Sequence, residues 1–167
     1  MDNIHINKSK TIAFTGHRHI NEDNIAPLRE ELTHTIHQQY LNGYTTYIVG
    51  GAVGFDLLAA EIVLELQQEF TDIQLLCAVP YAGHHIYFRN ESMQRYIHIA
   101  DKATANIILS THYYDDCSLR RNDYMIEHCS LLIAYYGQSS RSGTGYTVRR
   151  AEANNIPIIN LYKQSKP

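Results

Sequence analysis

The stretch Tyr47-Ile48-Val49-Gly50-Gly51-Ala52-Val53-Gly54-Phe55-Asp56-Leu57-Leu58-Ala59-Ala60-Glu61 passes from an apolar run, through three glycines, into a segment that is apolar nearly all round. That order is a buried strand, a tight loop and a helix packed on a sheet. Short continuous apolar strands belong to parallel sheets covered on both faces. The same alternation extends in both directions. Upstream, Thr11-Ile12-Ala13-Phe14 reads as a first strand, and Ile25, Leu28, Leu32 and Ile36 share a helical stripe that stops at Asn42-Gly43. Downstream, Ile73 to Val79 is a third strand bounded by Pro80, followed by one helix from about His85 to Ala103 and a fourth strand, Asn106 to Leu109. A helix from about Ser118 to His128 leads into Leu131 to Tyr135, and a last helix, about Gly145 to Asn154, feeds the strand Pro157 to Leu161. The expected fold class is α/β: a Rossmann-like three-layer α/β/α sandwich with a mostly parallel sheet of about six strands. The whole chain, 1–167, reads as one such domain with its core at about 11–161.

Composition narrows the function classes. With 44% hydrophobic residues, four prolines and nine glycines, the chain is neither disordered nor collagen-like. No apolar run approaches membrane-spanning length, and Met-Asp-Asn-Ile-His lacks the basic and apolar regions of a secretory signal. Cys77, Cys117 and Cys129 are odd in number and without metal or redox spacing, so reduced, buried thiols and a cytoplasmic location are expected. Ten histidines are scattered without ligand spacing, so no metal site is expected. A net charge of −3 argues against gripping nucleic-acid backbone by bulk charge and against nucleic acid as a partner. Arginines nevertheless dominate the interior of the sequence: Arg18, Arg89, Arg95, Arg120, Arg121, Arg141, Arg149 and Arg150. Their rigid fork suits phosphate or carboxylate, which points to a local anion site.

The glycines place that site. All but Gly43 are read as lying after a strand and before a helix, at the carboxyl edge where open α/β sheets bind ligands. Thr15-Gly16-His17-Arg18 follows the first strand and offers a hydroxyl, a turn, an imidazole and a guanidinium for phosphate or ribose. Gly50, Gly51 and Gly54 open a helix as an anion cradle, with Asp56 in its first turn. Arg121-Asn122 precedes the fifth strand, and Ser142-Gly143-Thr144 follows it as a second cradle. Arg121 and the Ser142 loop are expected to form two sides of one anion site, the competing reading being an ion pair of Arg121 with Asp115, Asp116 or Glu127. On the anion-site reading, Arg121→Ala weakens ligand binding by roughly one to two orders of magnitude with the fold intact.

In this order and spacing, Gly50-Gly51-xx-Gly54-x-Asp56-xx-Ala59-Ala60-Glu61, Arg121-Asn122-xx-Met125 and Ser142-Gly143-Thr144 with Ala151 downstream resemble the SLOG superfamily, which unites DprA with the LOG phosphoribohydrolases. The Thr15-Gly16-His17-Arg18 opening is most similar to its YpsA-like branch. The resemblance covers about Thr11 to Leu161. It implies a Rossmann-like fold that binds a nucleotide or nucleotide-derived ligand, such as ADP-ribose or an NAD derivative, with no further cofactor. The resemblance also carries two alternatives. One is a LOG-like hydrolase of nucleoside monophosphates, with Arg18, Arg121 or Arg141 on phosphate and Asp56 or Glu61 as the catalytic carboxylate. Aligning Gly143-Thr144 on the LOG motif PGGxGTxxE, however, puts Thr147 where the glutamate stands. The other is a DprA-like single-strand binder. A homo-oligomer is compatible with all three.

Overall fold

The computed structural model describes residues 4–138 and 142–164. Six strands, β1 (Thr11–Gly16), β2 (Thr46–Val49), β3 (Gln74–Val79), β4 (Ala105–Ile108), β5 (Leu131–Tyr135) and β6 (Ile158–Asn160), form one sheet in the order β4-β3-β2-β1-β5-β6. Every pairing is parallel. The helices are α1 (Glu22–Leu41), α2 (Phe55–Gln67), α3 (Asn90–Lys102), α4 (Cys117–Glu127) and α5 (Gly143–Ala153). Each strand except the last feeds a helix, and parallel neighbours require such crossovers. The chain steps from β1 to β4 in one direction and then returns to the other side of β1 with β5, so α1, α2 and α3 cover one face and α4 and α5 the other.

The central strands β1, β2 and β5 are buried along their length, as their unbroken apolar runs require. Ile12, Phe14, Tyr47 and Val49 point to the α1–α3 layer, and Ala13, Ile48, Leu132 and Ala134 to the α4–α5 layer. Tyr47 and Tyr135 pack in the core, as their strand positions imply. Cys77, Cys117 and Cys129 are unbridged and buried, and burial pushes the Cys77 thiol up to about 12. No helix among the described residues is long and apolar enough to cross a membrane.

Two boundaries differ from the sequence reading. The segment expected as one helix from His85 to Ala103 divides into a 3-10 turn, His84–Tyr87, and α3, with Phe88 and Arg89 extended between them (ψ 148° and 153°). The break lets the Phe88 ring pack edge-on against His84 and Tyr96, at centroid distances of 5.4 and 5.8 Å. Helical periodicity carries no trace of it, because the break is set by how the His84, Phe88 and Tyr96 rings pack in three dimensions. The last helix begins at Gly143 rather than Gly145, since Ser142 accepts a hydrogen bond from Gly145 N and starts the helix two residues early. Gly145 is therefore a buried helix residue, not a loop glycine.

Candidate functional site

The loops after β1, β2 and β3 open into a cleft of about 1010 Å³ at the carboxyl edge of the sheet. Arg18 enters it from the loop after β1, and Ala52, Val53 and Gly54 from the loop after β2. Gly54 sits at φ 85°, and a Cβ there would lie 2.3 Å from the Arg18 carbonyl oxygen. Beside it, Phe55 N donates to the His17 carbonyl at 3.1 Å. The two loops are thus fastened backbone to backbone, which sets the Arg18 backbone against the start of α2. Gly54→Ala is expected to cost at least about 1–2 kcal/mol from the left-handed backbone alone. The clash with Arg18 will add to that and lower ligand affinity; chemical denaturation and a binding titration check both.

Three helices begin at this cleft. Those helices, α2, α3 and α4, follow Gly54, Arg89 and Asp116, none of which makes a side-chain capping bond. By contrast α1 and α5 are capped by Asn21 and Ser142. Gly54, Arg89 and Ser118 line the cleft; Ser142 is not part of its lining. An uncapped helix start presents unpaired N–H groups and the positive end of the dipole, both suited to an anion.

The cations agree. Arg18, Arg29, Arg89, Arg95 and Arg121 all line the cleft. Arg29 pairs with Glu65 at 2.9 Å, and Arg95 pairs with Glu61. Arg18, Arg89 and Arg121 have no carboxylate in ion-pair contact among the described residues. The ion pair of Arg121 with Asp115, Asp116 or Glu127, the competing reading of this residue, is accordingly absent from that set. Arg121 is instead 5% exposed and lies beneath the Gly50 turn. Its Nη1 donates to the carbonyls of Gly50 and, at 3.4 Å, Ala78, and its Nε donates to Asn122 Oδ1 at 2.9 Å. Gly50 is needed for this approach, since a Cβ there would fall 2.8 Å from the guanidinium carbon.

Asp56 is buried below the floor and accepts from Ala52 N at 3.3 Å. Burial pushes its carboxyl up to about 6, against the opposing pull of the Arg121 charge and smaller ones from Ala52 N and Arg18. Arg121 is held below its ordinary value by the same burial, partly offset by Asp56. His84, in the cleft wall, has its pKa lowered to about 4 by burial and stands as a neutral imidazole at pH 7. Its Nε2 faces Gly51 O at 3.5 Å, and its Nδ1 is buried without a partner.

Of the residues singled out from the sequence, Arg18, Gly50, Gly51, Gly54, Asp56 and Arg121 therefore gather at or beneath one site. Thr15 is buried in β1, and Gly16 packs against the Phe55 ring. His17 turns toward β5, where its Nε2 accepts from Gly137 N at 2.8 Å among the rings of Tyr135, Tyr136 and Tyr162. Glu61 lines the cleft but is committed to Arg95. Asn122 joins the Gly143 end of α5, 3.8 Å from where a Gly143 Cβ would stand, while Thr144 is buried and the Ser142 hydroxyl caps its own helix. Thr147, at the LOG glutamate position, is fully buried with its hydroxyl on Gly143 O at 2.9 Å. Arg141 lies outside the described residues. Sequence reading missed Arg29, Tyr81, His84 and Tyr87 as cleft residues. The excess of interior arginine was the usable signal for Arg89 and Arg95. His84-His85 was weighed only for metal spacing, and no group of three or more potential metal ligands occurs among the described residues.

Comparison with known proteins follows the same lines. A UPF0398 protein of Staphylococcus epidermidis is 26% identical over 147 residues, covering 82% of this chain and 78% of the relative. DNA processing protein A from Helicobacter pylori, in a structure describing its single-stranded DNA binding mode, superposes with TM-score 0.67 at 20% identity over 94% of this chain and 67% of that one. DprA from Streptococcus pneumoniae superposes with TM-score 0.62 at 16% identity over 90% of this chain, which spans half of the pneumococcal protein's length. Both likenesses show a shared Rossmann-like fold. The YpsA family model, described as the YspA SLOG family, matches residues 12–161. The chain belongs to that family.

Proposed function

We propose that this protein binds a nucleotide or nucleotide-derived ligand in the carboxyl-edge cleft, with the phosphate between Arg18, Arg121 and the start of α2. The observation that carries this reading is the coincidence, around one cavity, of three arginines lacking carboxylate partners among the described residues with three helix starts lacking a side-chain cap. The cavity, about 1010 Å³, is at the upper end of the range for small-molecule and cofactor sites. In a chain of net charge −3, five arginines against two glutamates line this cleft. Thermal-shift screening against nucleoside phosphates, NAD and ADP-ribose tests the proposal. A ligand at 100 times its Kd should add about 2.7 kcal/mol of stability. No shift with any of them at millimolar concentration would remove the reading.

Single-stranded nucleic acid is the second reading, favoured by the DprA neighbours, so the charge-based expectation against nucleic acid gains no support from them. Arg149 and Arg150, two adjacent arginines, are exposed on α5 outside the cleft lining, and Arg150 pairs with Asp123 at 3.1 Å. Titrating a labelled oligonucleotide at two salt concentrations separates the readings. Strand binding through phosphates weakens by about 0.7 log units per contact per log unit of salt. Hydrolysis of an N-glycosidic bond would draw on Glu61, the one candidate carboxylate in the cleft lining, and release of free adenine from AMP is the assay that reports it.

A further inference from the structure

Resting on the nucleotide reading above, we infer that Tyr87 is the platform on which the ligand's base stacks. Tyr87 lines the cleft, yet it is 81% exposed, the most exposed of the large hydrophobic side chains among the described residues. Other cleft aromatics are spent on one another. Tyr81 meets His84 and Tyr113 edge-on, and Phe88 meets His84 and Tyr96. Tyr87 has no ring partner among the described residues.

Its exposure is not that of a loose loop tip. The 3-10 turn His84–Tyr87 is anchored at both ends: His84 is buried against Tyr96, 4.9 Å between centroids, and the Phe88 N–H donates to His85 O at 2.9 Å. His85 itself stacks on Tyr96 at 4.8 Å and 24°. A turn fixed by its neighbours holds the Tyr87 backbone at the cleft wall, so binding has only the side chain left to order. Arg89, two residues on, lines the same wall without a carboxylate partner and supplies a cation beside the stacked base. Arg18 and Arg121 provide phosphate contacts in the same cavity. An open π-face, guanidiniums without a carboxylate partner among the described residues, and helix starts without a side-chain cap in one cleft select a ligand with both a flat ring and a phosphate. That is a nucleoside phosphate, as opposed to a sugar phosphate or an acidic peptide.

The test measures binding of AMP, ribose 5-phosphate and a single-stranded oligodeoxyadenylate to the full chain and to Tyr87→Ala and Tyr87→Phe. Base–aromatic stacking sets the scale. Tyr87→Ala is expected to weaken AMP binding by about tenfold while leaving ribose 5-phosphate unchanged. Tyr87→Phe should stay within about twofold of the parent, since the ring is kept. Circular dichroism and the melting point of each variant report whether the fold is retained, which so exposed a side chain predicts. Equal weakening of AMP and ribose 5-phosphate, or no weakening of either, overturns the Tyr87 assignment and leaves the nucleotide reading standing. Failure of the parent chain to bind both AMP and the oligonucleotide overturns the nucleotide reading, and the assignment falls with it. Tyr87-dependent binding of the oligonucleotide without binding of AMP upholds the platform and makes nucleic acid the source of the stacked base.

Discussion

Replacing Arg121 with alanine is expected to unfold the protein more readily as well as to abolish ligand binding. The sequence alone suggested a first-turn arginine whose loss would spare the fold. The structure places its guanidinium 95% buried, donating to the carbonyls of Gly50 and Ala78 and to Asn122, near the buried Asp56 carboxyl. Truncation leaves a buried carbonyl without its donor and a buried acid without its compensating charge. Removing one partner of such a buried charged arrangement costs about 3–5 kcal/mol. Denaturant unfolding at pH 7 should show the unfolding free energy falling by that amount, with the midpoint moving to lower denaturant. Nucleotide binding, measured by calorimetry below the transition, should be lost as well. Arg121→Lys should rescue neither fully, because an ammonium on a flexible stem cannot reproduce the planar fork. An Arg121→Ala protein with parental stability would show that the guanidinium is not holding the Gly50 turn.

Two buried groups give the protein opposing pH dependences, and separating them should uncover each. Asp56 is raised in the folded state from 3.8 to about 6. Its protonated form is therefore favoured by folding, and the stability it contributes is complete below 3.8 and lost as pH rises through about 6. His84 is lowered from 6.5 to about 4, so its contribution is complete above 6.5 and lost as pH falls through about 4. At 1.36 kcal/mol per unit each effect amounts to about 3 kcal/mol, and between pH 4 and 6 they nearly cancel. Asp56→Asn removes the carboxyl and should leave a stability that rises by about 3 kcal/mol from pH 4 to pH 6.5. His84→Gln should leave the reverse slope. Urea unfolding of the parent and both variants across this range tests the assignment. Parallel profiles for parent and Asp56→Asn would mean that another group titrates there.

The fold was legible because its signals are local. Each buried strand is a short apolar run, each is followed by glycine and then helical periodicity, and the right-handed parallel crossover leaves little choice of arrangement. A strand end and the loop after it also lie at the same edge of the sheet in any such fold. Arg18, the Gly50-Gly51 turn, Gly54 and Asp56 could therefore be assigned to one edge from their positions alone. Arg121 is assigned by residue type, but its burial is not visible in the sequence, because the carbonyls that receive it belong to the loop after β2 (Gly50) and to β3 (Ala78).

The remainder of the site is made by tertiary packing. Arg29 comes from α1, Tyr87 from a turn broken out of an expected helix, and Arg89 and Arg95 from α3. No local periodicity records that these segments meet over the same strand ends. Neither does the local sequence distinguish the Gly50 loop, where Gly54 gives the helix no side-chain cap, from the Ser142 loop, whose hydroxyl satisfies its own helix. The sequence by itself determined the layers, the strand order's plausible edge and the arginine chemistry, all of which follow from short-range pattern and residue type. Only the tertiary structure decided which helix starts remain uncapped, which arginines lack a carboxylate and which aromatic ring is left facing solvent, because each depends on what a distant segment brings within a few ångströms.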